Sequence, residues 1–286
     1  VIVPVHNRPR FVREAIDSAL AQEFDGGLEV VVVDDGSTDD TPQVLASFGD
    51  RIRAFRQDNA GPAHARNRAF REARGEFLAL LDSDDVWLPG KLRAQVAALD
   101  ASPEACLVHS DVEEFWDDGS GRRWTRRPPV LAGHVLRDLL HRNFVHTMTV
   151  VLRRAAVEQA GGFDPAYPPC EDWDLWLRLA ERWPFAADSG RRVRTRVHEG
   201  GISSDPIVVY TQGCRVLAAA AARLERAEHE DAAYARRQAA RWHVKLARRL
   251  ARTGRRDEAE AAFATAAALH PLGRFSVLLA RAFPKR

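Results

Sequence analysis

The sequence predicts an α/β protein: a mostly parallel sheet with helices on its faces, followed by a helical appendage. Three observations lead there. Over the first third, short apolar runs alternate with amphipathic stretches at the spacing of strand–helix units. Acids, amides and glycines follow those runs, at what become the carboxyl ends of the strands. Beyond about Ser204 the composition shifts to Ala, Arg, Glu and Leu, and strand signals vanish.

The elements follow in order. Candidate strands are residues 1–3, 28–33, 52–56, 77–81 and 106–109. Amphipathic stretches near 11–21, 41–48, 63–73 and 90–99 predict the intervening helices. In such sheets ligands bind beyond the carboxyl ends of the strands. Those ends here read Pro4-Val5-His6-Asn7, Asp34-Asp35-Gly36-Ser37, Gln57-Asp58-Asn59-Ala60-Gly61-Pro62 and Asp82-Ser83-Asp84-Asp85. Residues 111–129 are polar and irregular, with Trp116 and Trp124 around a Gly119-Ser120-Gly121 turn, and predict a mobile hairpin. A helix near 134–141, a strand near 147–152 and a short helix into Gly161-Gly162-Phe163-Asp164 come next. A further helix follows Glu171, and a short strand at 192–197 leads to His198-Glu199-Gly200-Gly201. Residues 246–271 have the small-residue and closing-Pro rhythm of a single helix-turn-helix repeat. One repeat cannot bury its own face, so it is expected to pack on the main domain or on a partner.

Composition narrows the class. The 286 residues suffice for one large α/β domain or two smaller ones, and 45% hydrophobic with 29% charged residues is ordinary for a globular chain. Lys and Arg number 42 against 40 Asp and Glu, a balance that argues against a dedicated nucleic-acid binder. Cys106, Cys170 and Cys214 are odd in number and far apart, with no zinc or disulfide spacing, which fits a reducing cytoplasm. No apolar stretch approaches a membrane span. No signal peptide is visible; the opening Val1-Ile2-Val3-Pro4 reads as a strand of a fold already under way, so preceding native residues are expected to be missing.

The acids carry the chemistry. The apolar run Leu78-Ala79-Leu80-Leu81 stops at Asp82, Asp84 and Asp85, with no Lys or Arg before Lys91. Clustered carboxylates need a cation, whether metal ion, side chain or solvent counter-ion. The plainer reading is a capped helix start ahead of residues 90–99. The sharper one is a site for Mg²⁺ or Mn²⁺, which uses one or two carboxylates together with substrate phosphates. Asp35 lies in a strand-to-helix loop, where a carboxylate can also accept hydrogen bonds from a ribose or base. In Cys170-Glu171-Asp172-Trp173-Asp174-Leu175-Trp176-Leu177, Asp172 is either a helix cap or a general base. Leu175, Trp176 and Leu179 follow it at helical offsets, which puts Asp172 toward the covered face; Glu171 lies about 100° round and is the weaker candidate. His198 is either a surface loop residue or a metal ligand beside two glycines that let the loop close. Arg66 either pairs with a carboxylate or reaches a nucleotide.

Seven stretches together resemble the family-2 glycosyltransferases of the GT-A fold: VIVPVHNR, VVVDDGSTDDT, NAGPAHARNRAF, FLALLDSDD, GGFD, EDWDLWLR and RVHEGGIS, in the family's order from Val1 to about Ser204. The resemblance implies a Rossmann-like sheet with helices on both faces and an inverting transfer of sugar from a nucleotide diphosphate sugar, a UDP-sugar favoured, to an acceptor hydroxyl. It implies a nucleotide-sugar-binding half at 1–110, an acceptor-binding and catalytic half at 111–204 and the helical appendage at 205–286. Pro4, Val5, His6, Asn7, Asp35 and Arg66 would line the base and ribose pocket, with Asp82 and Ser83 of the DxD motif. Asp84, Asp85 and His198 would hold Mn²⁺ or Mg²⁺. Asp172, within the Glu171-Asp172 pair, matches the catalytic base. Polymerising members carry a Gln-x-x-Arg-Trp motif and cross the membrane; the motif reading finds neither feature here, so transfer of one or a few sugars to a glycan, lipid-linked or protein acceptor is expected. The expected location is cytoplasmic. Peripheral contact with the inner face of a membrane, through 275–286, and a protein partner for the helical tail stay open.

Two rivals belong to other classes. A metal-dependent nucleotidyltransferase needs a Gly-rich, basic loop near the first strand, which Pro4-Val5-His6-Asn7-Arg8 does not offer. A degenerate transferase acting as a non-catalytic binding module predicts lost acids, whereas Asp84, Asp172 and His198 are present.

Overall fold

Residues 1–5 and 30–35 are buried without a break, as strands covered on both faces require. They form β1 (Ile2–Val5) and β2 (Val31–Asp35), which pair in parallel with Ile2 opposite Val31; β3 (Arg53–Gln57) continues the sheet with Arg53 opposite Val31. Val1, Val3, Val5, Val30 and Val32 join one core cluster with α1 (Pro9–Leu20), α2 (Thr41–Ala46) and, through Leu92 and Leu99, α4 (Lys91–Asp100). The alternate residues Ile2, Val31 and Val33 are equally buried outside that cluster, and α3 (Pro62–Glu72) packs on β1 and β2. A proline stands in the first turn of α1, α2 and α3, where its missing N–H costs nothing.

The computed structural model describes residues 1–117, 120–124, 130–197 and 205–270, with Trp124 as backbone only. They belong to two compact units. The first comprises Val1–Val135, Phe144–Pro165 and Arg178–His198; the second comprises Leu136–Asn143, Ala166–Leu177 and Glu199–Arg286.

In the first unit, β4 (Phe77–Ala79) runs beside β1: Leu80 bridges Ile2 in parallel and the Leu81 N–H donates to the Ile2 carbonyl at 3.0 Å. The carboxyl ends of β3, β2, β1 and the β4 segment therefore lie side by side. Beyond β4 the sheet is mixed. β5 (Val86–Trp87), β6 (Leu107–Trp116), β7 (Arg123–Trp124), β8 (Val151–Arg153) and β9 (Phe185–Val197) join it in the order β4-β8-β6-β9-β5, with β7 on β6. Only β6 and β9 pair in parallel there. The parallel half ends where the strand–helix alternation of the sequence ends, after α4. The polar stretch after Asp111 is a hairpin, β6 with β7, over its described residues. The predicted strand at 147–152 is a 3-10 turn, Thr147–Thr149, and then β8. α6 (Arg154–Ala160) ends at Gly161, whose φ of +82 closes the helix in the left-handed region.

The second unit is helical. It holds α5 (Leu136–His141), the first two turns of α7 (Glu171–Ala180), α8 (Pro206–Arg226), α9 (Ala232–Arg252) and α10 (Arg256–Leu269). Asp205 caps α8 by accepting the Ile207 N–H at 2.8 Å. Trp173 is the centre of this unit: its indole N–H donates to the Leu139 carbonyl at 2.8 Å and its ring lies 4.7 Å from that of Trp242. Gly213 makes the packing possible, since a Cβ there would meet Trp242 at 2.5 Å and Trp173 at 3.1 Å.

Candidate functional site

The turn that follows β4 is where the sequence posed its charge problem. Side chains alternate in exposure across it: Asp82 and Asp84 are 23% and 27% exposed, whereas Ser83 is 9% and Asp85 only 2%. The acids do not cap α4. That helix starts after Gly90, in the left-handed region with φ +77, with β5 lying between. Cations distant in sequence answer the charge. Arg66 on α3 donates to Asp82 at 2.7 Å, and the Arg8 guanidinium lies 3.9 Å from Asp84. Asp85 points inward, where one oxygen accepts the Arg196 N–H at 2.9 Å; burial, and then the charges of Asp84 and Asp82, push its carboxyl well above the usual range. Arg196 binds the same turn again through its side chain, donating to the Asp84 carbonyl at 3.1 Å. Its guanidinium also pairs with Glu14 and with Asp117, between the rings of Phe11 and Phe115.

The neighbouring strand ends are tied together by polar side chains. His6 Nδ1 donates to the Asp35 carbonyl at 2.8 Å, which leaves Nε2 to accept from Asn7 at 3.1 Å and Asn59 at 3.3 Å. Asn7, at φ +50, receives the Thr38 N–H on its side chain at 2.8 Å and donates its own N–H to Ser37 at 2.9 Å. Asp35 is buried and accepts three donors: Gln57 at 2.8 Å, Ala60 N–H at 3.0 Å and Gly61 N–H at 2.7 Å. An ionised carboxylate has about four acceptor sites, so one is left over. Asp34 is held between Arg56, at 3.2 Å, and the Ser37 N–H. Pro4 and Val5 lie within β1; Val5 faces the core cluster.

Arg66 stacks at 5.3 Å over Phe163, which itself stacks on Phe70. The Gly161-Gly162-Phe163 turn is locked by Asn67, whose amide both donates to the Phe163 carbonyl (2.7 Å) and accepts its N–H (2.8 Å). A Cβ on Gly162, at φ +75, would meet that amide at 2.6 Å. Arg178 donates to the Ala160 and Gly162 carbonyls of the same turn.

In the second unit, Asp172 differs from the sequence-based picture of its helix. The apolar offsets put it on a covered face. In fact nearly the whole of α7 is covered, and Asp172 and Arg178 are its half-exposed residues; Glu171 and Asp174 are the buried acids. Because Glu171 and Asp174 are covered along with the apolar residues, apolar offsets alone do not tell which acid is covered. Asp172 accepts the Asn143 amide at 3.1 Å and the Trp173 N–H at 2.6 Å, and Asp174 pairs with Arg223 at 3.3 Å.

Of the residues singled out from sequence, His6, Asn7 and Asp35 are bonded to one another, and Arg66 pairs with Asp82, two positions before Asp84. The sequence reading missed the part played by Arg8, Arg196, Asn59 and Asn143. Arg8 and Arg196 stand inside VIVPVHNR and RVHEGGIS, but nothing local indicates that they meet the acid turn. Glu171 and Asp172 lie in the other unit. His198 lies outside the described residues. Among the described residues no group of three or more His, Cys, Asp or Glu forms a ready-made metal cage, and no helix is long and apolar enough to cross a membrane.

A parallel sheet that turns mixed, with a polar cluster along its carboxyl edge, defines an α/β protein of the GT-A class. The solved structures agree: TarS 1–349 of S. aureus in complex with UDP-GlcNAc matches with TM-score 0.68 and 22% identity, over 84% of this chain and 70% of that one. The mannosyltransferase PcManGT of Pyrobaculum calidifontis, in complex with GDP-Man and Mn²⁺, matches with TM-score 0.60 and 22% identity, over 98% of this chain and 79% of that one. In sequence, an uncharacterized glycosyltransferase of Rickettsia felis is 33% identical over 224 residues, which is 76% of this chain. The chain spans 37% of that relative's length. The Glycosyl transferase family 2 model matches residues 1–159. The chain belongs to glycosyl transferase family 2.

One pattern of the polymerising members escaped the motif reading. Gln238-Ala239-Ala240-Arg241-Trp242, on α9, matches Gln-x-x-Arg-Trp, with Gln238 and Trp242 buried. The expectation of single transfers thus loses the support it drew from that motif's supposed absence.

Proposed function

We propose that the chain is an inverting glycosyltransferase that moves a sugar from a nucleotide diphosphate sugar, a UDP-sugar favoured, to a hydroxyl of a glycan, lipid-linked or protein acceptor. The observation that carries this reading is the polar carboxyl edge of the parallel strands, where His6, Asn7 and Asp35 form one bonded group and Arg66 pairs with Asp82, with Asp84 the more exposed carboxylate of the acid turn. The spare acceptor site of Asp35 suits a base N–H, and Asp82 suits a ribose hydroxyl. Pro4 and Val5 contribute as the strand that sets His6 and Asn7, and Ser83 and Asp85 as the inward half of the turn.

The donor set fits a hard divalent cation. One accessible carboxylate, Asp84, is what Mn²⁺ or Mg²⁺ uses when the remaining ligands come from a diphosphate, and His198 is the further candidate ligand. Such a cation, when bound, supplies charge stabilisation for the departing diphosphate. The other steps belong to the chain. Asp172 takes the proton of the acceptor hydroxyl, held in orientation by Asn143. The acceptor oxygen bonds to the anomeric carbon as the carbon–diphosphate bond breaks on the opposite side, which inverts the centre without a covalent enzyme intermediate. Glu171, buried beside it, is the reserve base. Arg8 and Arg66 add positive charge on the donor side.

Calorimetric titration with UDP, GDP, dTDP and CDP, each with and without Mn²⁺, tests the donor half. Tight, Mn²⁺-dependent binding of UDP is expected, and Asp84→Ala should remove the metal dependence. Asp172→Asn should keep nucleotide affinity and lower turnover by about 10³-fold or more. Binding of no nucleotide would sink the reading, and a near wild-type rate for Asp172→Asn would move the base to Glu171.

A further inference from the structure

Charge divides unevenly along the chain. Residues 205–286 carry 16 Lys and Arg against 8 Asp and Glu, while residues 1–204 carry 26 against 32. Net charges of +8 and −6 are hidden in the overall balance of +2. Such asymmetry is a mark of association with an anionic surface.

The excess is concentrated on α9. This helix of 21 residues contains seven Lys or Arg and no acid. Five of them, Arg237, Arg241, Lys245, Arg248 and Arg252, are exposed and follow at intervals of four, four, three and four. That is the repeat of one helical face, so they form a straight stripe about 22 Å long. Like charges at these spacings destabilise a helix, and exposed faces more often alternate Glu with Lys. Here no acid intervenes. Lys245 is exposed, yet its ammonium lies 4.8 Å over the Trp242 ring, and this partial burial, and then the charge of Arg241, push it below its usual range. Four acids of the unit are engaged elsewhere: Asp174 with Arg223, Glu225 with Arg236, Asp231 with Arg137 and Glu258 with Arg255. Among the described residues, none of the five stripe cations pairs with a carboxylate.

We propose that the α9 stripe is an electrostatic docking surface for an anionic lipid bilayer. A straight, solvent-facing row of cations complements a plane of phosphate headgroups. Nucleic acid is disfavoured, because the aromatic residues of α9, Tyr234 and Trp242, are not exposed for base stacking. Insertion into the acyl region is also disfavoured: the apolar face of α9 is buried within the unit, and the exposed large apolar residues among those described are Val197 and Val208. The stripe therefore holds the chain at the headgroups, reversibly and with strong salt dependence.

Co-sedimentation of the full chain with vesicles tests this. Vesicles of phosphatidylcholine alone are compared with vesicles containing about 30% phosphatidylglycerol, at about 0.1 and 0.5 M NaCl. Binding only to the anionic vesicles is expected, weakened about tenfold or more by the higher salt. The fourfold variant Arg237→Gln, Lys245→Gln, Arg248→Gln, Arg252→Gln should bind about tenfold or more weakly. A control removing four exposed cations of the first unit (Arg51, Arg71, Arg74 and Arg93, each to Gln) should bind like the parent. If circular dichroism finds helix lost in the fourfold variant, the pairs Arg237→Gln/Lys245→Gln and Arg248→Gln/Arg252→Gln replace it. Equal binding by variant and parent, equal binding to both vesicle types, or no vesicle binding overturns the proposal. So does capture of a single-stranded oligonucleotide at a salt concentration where anionic vesicles are not bound.

Discussion

At the residue scale, Arg196 decides how the acid turn is held. Its side chain is 2% exposed, and it meets Asp84 and Asp85 through backbone and side chain together. Arg196→Ala should cost about 2–3 kcal/mol, less than a fully buried pair because Glu14 and Asp117 can turn to solvent. Arg196→Lys should recover little, since one ammonium cannot reach three partners at once. Urea unfolding of both variants reads this out; a loss below about 0.5 kcal/mol would remove Arg196 from the turn's support. His109 sets a pH dependence. It is 1% exposed, its Nε2–H donates to the Leu131 carbonyl at 2.8 Å, and burial pulls it down to about 4. The unfolded imidazole titrates near 6.5, so its contribution is complete above that pH. Stability should fall as pH drops from about 6.5 to about 4, by on the order of 3 kcal/mol, and level off below. His109→Gln should flatten this limb; an unchanged slope would assign the acid sensitivity elsewhere. Much of this scale was legible in sequence: an apolar run broken by three acids marks a charge that other parts of the chain must answer. The partners were not legible, because Arg8 and Arg196 reach Asp84 only through strand register, which local pattern does not encode.

At the scale of elements, the helices with proline in the first turn were read from sequence to within two residues at each end. The strands were harder. β5 is two residues long and carries no pattern of its own, and β9 runs from Phe185 whereas only 192–197 read as strand. Its earlier residues alternate less cleanly because Gly190 and the Asp188–Arg192 pair interrupt them. α7 was found, but the placing of its acids was not, since Glu171 and Asp174 are buried together with its apolar residues while Asp172 is half-buried. Its environment yields a sharp test at Gly213. Gly213→Val inserts side-chain atoms where a single Cβ already meets Trp242 at 2.5 Å. It should lower stability by about 1–3 kcal/mol, seen as a lower thermal midpoint with quenched or shifted tryptophan fluorescence. Gly213→Ala should be milder but in the same direction. A neutral Gly213→Val would mean that the tryptophan pair has room to separate.

At the scale of the whole molecule, the helical appendage completes a core. Trp173 packs on Trp242 and Gly213, so a chain cut after Ser204 loses the cover of its own α7. That truncation should aggregate or melt at least several degrees lower than the full chain, measured by scanning fluorimetry and light scattering. An unchanged midpoint would leave the appendage without a structural part. Sequence composition announced this helical region plainly, but not what it covers, because one aromatic contact across many residues leaves no periodic trace. The separation of contacts has another outcome, on the ribosome. The N-terminal strands emerge first, and the Glycosyl transferase family 2 match ends at residue 159. Yet Asp85 waits for Arg196, 111 positions later, and Asn67 waits for Phe163, 96 positions later. A nascent chain stalled near residue 180 can therefore carry β1 to β3 and still lack a seat for its acid turn, so the polypeptide is nearly through synthesis of its sheet before that turn is held.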